Sequence, residues 1–342
     1  LLPGGEGLTL PPSLRGALDR LEYLLFGGTA ALVGRLPRAW ALAIGRALGL
    51  AGYLLAAGRR RIALANLEVA FGASKSATEQ RRIARASFMH AGSALFDAML
   101  LSRLTRERAA RIVEVGAEDL ALVREAYARG RGVIFLAAHF GYPEIAGAFH
   151  GYQGLPLTIV VRRMDNPYLD ARFREYRTRS GNGVVVRGHA SRRLLEILRG
   201  GGGVAILIDQ NLRLRESILV DFFGLPVPAT RTVGSLTLAT GAAIIPVVSY
   251  PLARGRCRLT YGPEIRYAVT GDRWRDIAAI TEACFRHIEG IVRRHPEYYL
   301  WVHRRWKNRF TPEDARWPFY AEPVRERYRG QAASVSLERT AD

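Results

Sequence analysis

The stretch Gly132-Val-Ile-Phe-Leu-Ala-Ala-His139-Phe-Gly-Tyr-Pro-Glu144-Ile-Ala-Gly147 decides how the rest of the chain is read. Residues 133–138 form an apolar run of strand length, with β-branched and aromatic side chains, and predict a buried strand. Gly141 and Pro143 then make a short loop. Pro143 suits the first turn of a helix, and Glu144 suits the positive end of its dipole. His139 therefore belongs at a strand's carboxyl end, the edge where open α/β sheets hold ligands. An imidazole held by a carboxylate at one nitrogen, with the other nitrogen free, is general-base machinery for activating a hydroxyl. The spacing puts Glu144 close enough to orient the ring. His-x4-Glu by itself is common by chance, and a satisfied polar histidine after a strand is the alternative.

On either side of this stretch strands and helices alternate. Residues 158–161, 183–186, 204–208, 243–249 and 256–261 read as strands, with a short one at 111–115. Helices are predicted over 120–128, 166–179, 191–199, 232–240 and 276–293. This order predicts an α/β fold: a mixed, largely parallel sheet flanked by helices. If the strands ending at His139, Arg162 and Asp209 are parallel neighbours, three polar groups meet at one edge. A cation there can hold a phosphate or steady a developing oxyanion. The alternatives are a solvated surface pair for Arg162 and Arg163, and a helix cap or ion pair for Asp209.

Composition narrows the function classes. With 342 residues, 49% of them hydrophobic, the chain can bury one large core or two modest ones. The net charge is +19, and Lys75 and Lys307 are the only lysines among the cations. Such a chain is drawn to polyanions: nucleic acid, anionic lipid or an acidic carrier. The arginines are spread along the chain without interleaved aromatics, which argues against nucleic acid. Cys257 and Cys284 stand far apart without a CxxC, so neither a disulfide framework nor a zinc site is implied. HExxH, GxSxG and P-loop motifs are missing, and residues 200–203 precede a strand and read as a turn.

Residues 1–14 carry Gly and Pro and read as a flexible lead, without a signal-peptide pattern. Residues 18–55 are strongly apolar but broken by Arg35, Arg38 and Arg46. They predict two helices joined around Leu36-Pro37, lying in one leaflet with arginines reaching back to the head groups. A buried pair in a soluble domain and a single membrane span by the first helix are the alternatives. The basic run Arg59-Arg60-Arg61 follows directly, as suits an anionic membrane surface. Residues 76–103 predict an amphipathic helix with Ile83, Ala84, Phe88, Ala91, Leu95 and Met99 on one face. Three regions result: 1–105, helical and membrane-associating; 106–310, the α/β catalytic domain; and 311–342, a C-terminal extension. In the last, Pro, Gly, Ala and Ser predict loss of packing, with disorder from about residue 324.

Several blocks, taken together and in order, carry a resemblance. They are Arg60-Arg-Ile-Ala-Leu-Ala-Asn66-Leu with Phe71; His139-x4-Glu144; Arg162 with Asp165-Asn166-Pro167; and Ile208-Asp209-Gln210. Phe222-Phe223-Gly224 with Pro226, Gly241-Ala with Pro246, and Tyr299-Leu-Trp-Val-His-Arg-Arg305-Trp-Lys-Asn-Arg309 complete the set. This set resembles the bacterial late lipid A acyltransferase family, the lauroyl and myristoyl transferases, within the wider glycerolipid acyltransferase group. The resemblance implies transfer of a fatty acyl chain from acyl carrier protein, or from coenzyme A, to a hydroxyl of a membrane lipid, foremost a lipid A precursor. It implies no metal and no prosthetic group. It implies a bacterial inner membrane location, on the cytoplasmic face, with the anionic surface and the acidic carrier as partners and no nucleic acid.

By position, the resemblance makes His139 the general base, with Glu144 orienting it and stabilising the imidazolium. Arg162 and Asp209 would bind substrate or shape the site. Arg177 and Arg179 would stand nearby as phosphate contacts. Arg304 and Arg305 could do the same, or serve packing around Trp301 and Trp306. Phospholipid and glycolipid acyltransferases, including those acting on mannosylated phosphatidylinositol, share this architecture and are the alternative acceptor classes. A thioesterase, with water in place of the acceptor alcohol, is the alternative reaction.

Overall fold

The computed structural model describes residues 12–186, 188, 190–311 and 314–328. Two apolar helices come first, α1 (Pro12–Val33) and α2 (Arg38–Leu55), joined by a turn that ends at Pro37. Residues 12–14 of the expected flexible lead are thus helical, and the rest of it lies outside the described residues. The chain turns by 92° at Ala56 into α3 (Ala57–Phe71). Next, α4 (Ala77–Leu100) opens on a capping box: the Ser76 hydroxyl accepts from the Glu79 N–H, and the Glu79 carboxylate accepts from the Ser76 N–H. Ile83, Ala84, Phe88 and Met99 are buried as their spacing predicts, whereas Leu95 is exposed.

Helices α2 and α4 meet backbone to backbone. Gly45 and Gly49 on α2 face Gly92 on α4, and a Cβ at any of the three would strike the opposing main chain. Only glycine lets two helices approach this closely.

The α/β part continues with α5 (Arg106–Ile112), β1 (Val113–Val115), α6 (Ala117–Ala128), β2 (Val133–Ala137), α7 (Pro143–Tyr152) and β3 (Leu157–Val161). After these come α8 (Pro167–Thr178), β4 (Gly183–Val186), α9 (Ala190–Arg199) and β5 (Gly203–Leu207). A hairpin follows, β6 (Ser217–Phe222) and β7 (Leu225–Thr230), then α10 (Thr232–Thr240), β8 (Ala243–Pro251), β9 (Cys257–Tyr261) and α11 (Arg273–Arg294). The main sheet has seven strands in the order β1-β9-β8-β2-β5-β3-β4. All its pairs are parallel except β8 with β9. The largest apolar cluster joins Leu67, Phe71 and Phe88 of α3 and α4 to Ile134 and Leu136 of β2 and to Trp301 and Trp306. Helices α3 and α4 therefore share a core with the sheet.

Two expectations need correction, and one hairpin adds to them. Arg111 and Ile112 are helical, because Thr105 caps a helix there by accepting from the Arg108 N–H; strand begins only at Val113. The hairpin β6–β7 was not foreseen, because Pro226 and Pro228 break the strand signal. Prolines are tolerated here because β7 pairs on one side only. Its turn needs positive φ at Phe223 (56°) and Gly224 (81°), as two-residue hairpin turns do. Lastly, the segment after Phe310 does not lose its packing: Trp317, Tyr320 and Val324 are buried. The Tyr320 hydroxyl donates to Asn66 Oδ1 on α3, and the residue pair Asn308–Arg309 runs beside Glu322–Pro323. Residues 329–342, where disorder was expected, lie outside the described residues.

Candidate active site

Strand register builds the site. β2 and β5 are adjacent and parallel, with Ala137 opposite Leu207. Two residues further on, His139 and Asp209 come out on the same side of the sheet, as the period of two requires. Their side chains meet. The His139 Nδ1–H donates to Asp209 Oδ1 at 2.8 Å, and the His139 backbone N–H donates to Asp209 Oδ2 at 2.9 Å. One carboxylate thus fixes both the ring and the main chain that carries it. The Asp209 side chain is 3% exposed, whereas that of His139 is 29% exposed, so the imidazole keeps an open edge.

The charges in this pair support each other. Burial pushes the Asp209 carboxyl up, but His139, its hydrogen bonds and the positive Arg305 outweigh that and hold it at about 2. Burial pushes the His139 imidazole down, but the charge and hydrogen bond of Asp209, with a further pull from Glu144, leave it above the ordinary value.

The loop after His139 is braced from several sides. The Leu300 N–H donates to the His139 carbonyl at 3.1 Å, and Gly141 donates to the Tyr298 carbonyl at 3.2 Å. His90 on α4 lies 3.0 Å from the Gly141 carbonyl through Nε2, and the Tyr142 N–H donates to Ser249 Oγ at 2.7 Å. Gly141 has φ +64°, and a Cβ there would collide with the Ser249 carbonyl. That is why the loop carries a glycine at this position.

Glu144 is placed differently from the expectation. Its carboxylate is gripped at both oxygens by Arg177 of α8, with Nε donating to Oε2 at 2.9 Å and a second N–H donating to Oε1. Hydrogen bonding therefore assigns the orientation of the ring to Asp209, and Glu144 acts on His139 only through its charge. The reason is register: a strand neighbour points straight at the ring, whereas Glu144 has already entered α7 and faces α8.

The other candidates separate. Arg162 follows β3, but its partner is Asp165 at 3.5 Å, and the two side chains are 68% and 70% exposed. Extending the β3–β5 register sets Arg162 opposite Ile208, one step out of phase with Asp209. Arg179 donates to the Ser102 carbonyl at 2.8 Å and pairs with Glu175, away from the histidine. Arg305 is 1% exposed and donates to the Pro228 carbonyl, so it is not open to a phosphate; Arg304 lies over the Tyr320 ring.

Two neighbours were not singled out from sequence. Gln210 places its amide nitrogen 3.0 Å from His139 Nε2. His303 Nε2 accepts the Asn211 N–H at 3.0 Å, and burial lowers its pKa to about 4, so it stays neutral as an acceptor must. Both sit within blocks that carry the resemblance, and that was the available signal. With Tyr299 and Leu300 these groups line a shallow cleft in the surface. Next to it, Ala138, Phe140, Val248 and Ile291 help line a narrow apolar recess. Among the described residues, no group of three or more His, Cys, Asp or Glu could hold a metal ion.

An oriented imidazole with one nitrogen toward a cleft and an apolar recess beside it suits acyl chemistry at a hydroxyl. Residues 16–308 match the family described as bacterial lipid A biosynthesis acyltransferase. The chain belongs to that family. This acyltransferase is 29% identical over 288 residues to the lipid A biosynthesis lauroyltransferase of Escherichia coli K12, covering 82% of this chain and 90% of that protein. The palmitoleoyltransferase of the same strain is 28% identical over 260 residues, 75% of this chain and 81% of that one. A phosphatidylinositol mannoside acyltransferase of Mycobacterium tuberculosis is 27% identical over 185 residues, 53% of this chain and 56% of that protein. Family membership makes the chain an enzyme of acyl transfer to a lipid acceptor.

Proposed function

We propose that this acyltransferase moves a fatty acyl chain from a thioester donor, acyl carrier protein or coenzyme A, to a hydroxyl of a lipid A precursor. The observation that carries the reading is the His139–Asp209 pair, which leaves Nε2 on the open side of the ring. The acceptor O–H proton passes to Nε2 while its oxygen attacks the thioester carbon. When the C–S bond breaks, the proton passes from Nε2 to sulfur. Asp209 stays ionised throughout and stabilises the imidazolium, as the third member of a triad does. Glu144, paired with Arg177, adds a second negative charge nearby. No cofactor takes part in this sequence of steps.

The membrane supplies the acceptor in this proposal. Among the described residues no single helix is long and apolar enough to cross a membrane, although α2 and α3 together pass that test as a pair bent by 92°. Both N-terminal helices expose apolar stripes at helical spacing: Leu14, Leu18, Leu21, Leu25 and Leu32 on α1, and Trp40, Ile44, Leu48 and Leu55 on α2. Such stripes support helices lying on the inner membrane from the cytoplasmic face. Each large apolar side chain removed from water contributes roughly 1.5–3 kcal/mol, and each nearby arginine about 1 kcal/mol at an anionic surface. Burial of the stripes therefore dominates, and the positive charge adds attraction to anionic lipid and to an acidic carrier.

The deciding experiment is mass spectrometry of lipids from cells with and without this chain, joined to a transfer assay with purified His139→Ala. A fatty acyl mass increment on a lipid A species that vanishes with the gene supports the acceptor. An increment lost from a phosphatidylinositol mannoside or a phospholipid instead redirects it. Thioester loss that does not respond to lipid acceptor would make the enzyme a thioesterase.

A further inference from the structure

The neutral lone pair of His139 is already occupied. Its Nδ1–H is committed to Asp209, so in the neutral ring Nε2 is the acceptor, and Gln210 donates to it from its amide at 3.0 Å. This lone pair is also where a general base takes up the acceptor's proton. The amide and the acceptor hydroxyl therefore compete for one position.

Gln210 is built to leave that position without disturbing what surrounds it. Its backbone is held on one side by the buried Asp209. On the other, the Asn211 N–H donates to His303, and the Asn211 amide donates to Asn308 Oδ1 at 3.3 Å. The Gln210 side chain is exposed, and among the described residues His139 is its one hydrogen-bond partner. A fixed stem thus carries a side chain free to swing outward.

The geometry points to Gln210 as a specificity-determining residue that keeps water off His139 until the lipid acceptor arrives. The inference rests on His139 being the base. Water at Nε2 would react as the acceptor does: its proton goes to Nε2, its oxygen bonds to the acyl carbon, the C–S bond breaks, and the proton moves on to sulfur. The products would be free fatty acid and thiol, and the donor would be wasted. A lipid acceptor is anchored by contacts remote from its hydroxyl, and that binding energy can displace the amide. Water has no such contacts, so it competes poorly against a donor tethered to the backbone turn through two methylenes.

The test measures thiol release and lipid product together. The full chain in detergent micelles is given a long-chain acyl-coenzyme A, and separately an acyl carrier protein thioester, with or without an under-acylated lipid A precursor. For Gln210→Ala the ratio of acceptor-independent hydrolysis to transfer should rise tenfold or more, and the added hydrolysis should disappear in Gln210→Ala/His139→Ala. A ratio within twofold of wild type, while His139→Ala remains inactive, overturns the inference and leaves the base assignment standing. Near-normal transfer by His139→Ala overturns the base assignment instead. If Gln210→Ala does not fold, Gln210→Glu keeps the shape and faces Nε2 with a negative charge. Its acid limb in kcat/KM should move to higher pH, and an unmoved limb overturns the contact on which the inference is built.

Discussion

His139 and Asp209 stand at matching positions past the paired ends of β2 and β5, and the carboxylate bonds both the ring and the backbone of the histidine. The pair is thus a property of sheet register more than of either loop. Its consequence for catalysis is a pH dependence with a definite sign. The base must be neutral, and Asp209 holds its pKa above the ordinary 6.5, so the rate should rise with pH through a midpoint above that value. Asp209→Asn removes the charge, so the midpoint should fall, while kcat should drop by roughly 10²–10⁴-fold as the ring loses its orientation. A pH series of kcat/KM on both proteins checks the two together.

Glu144 and Arg177 should behave as a unit. Glu144→Gln and Arg177→Gln each break the same two-point ion pair, and the double variant should cost far less than the sum, with a coupling of about 0.5–3 kcal/mol. A double-mutant cycle on transfer rates measures this. If Glu144 coupled to His139 and not to Arg177, the hydrogen-bonded arrangement described above would not be the one used in turnover.

Asn66 should matter for stability. Its amide donates to the Trp301 and His303 carbonyls at 2.6 and 2.7 Å, and its oxygen accepts from Tyr320. Asn66→Ala strands buried polar groups, each costing about 1–3 kcal/mol when left unmatched. Urea titration should show a lower midpoint at unchanged slope, and an unchanged midpoint would mean that the segment repacks without it.

The apolar stripe on α2 gives a prediction that separates binding from folding. Trp40, Leu48 and Leu55 are 68%, 56% and 83% exposed, so changing them to Gln removes little packing. Co-sedimentation with vesicles containing anionic phospholipid should weaken at least tenfold, with the melting temperature within a few degrees of wild type. Equal binding by the triple variant would move the contact surface elsewhere.

The alternation of strands and helices was legible because apolar period and glycine or proline punctuation agree across most of residues 133–294. The convergence of His139 and Asp209 was legible for the same reason: both follow apolar runs of strand length. What was not legible was pairing. Whether Asp209 or Glu144 takes the imidazole depends on which strands are neighbours, and local sequence does not carry that. Arg162 misled because it follows a strand, yet the register turns it one step out of phase. The prolines of the segment after Phe310 suggested irregular chain, and those of β7 hid its strand signal. In each case tertiary contacts, with Glu282 and Glu289 accepting β6–β7 backbone N–H groups and Asn66 accepting from Tyr320, supply what local propensity withholds.

Tyr320, Trp317 and Val324 close over the same core that α3 and the Trp301–Trp306 block build, although the family match stops at residue 308. A fragment cut at that boundary would uncover an aromatic seam and take away the donor at Asn66. Truncation for expression is therefore better placed beyond Tyr328, and a shortened protein that aggregates says nothing against the catalytic assignment.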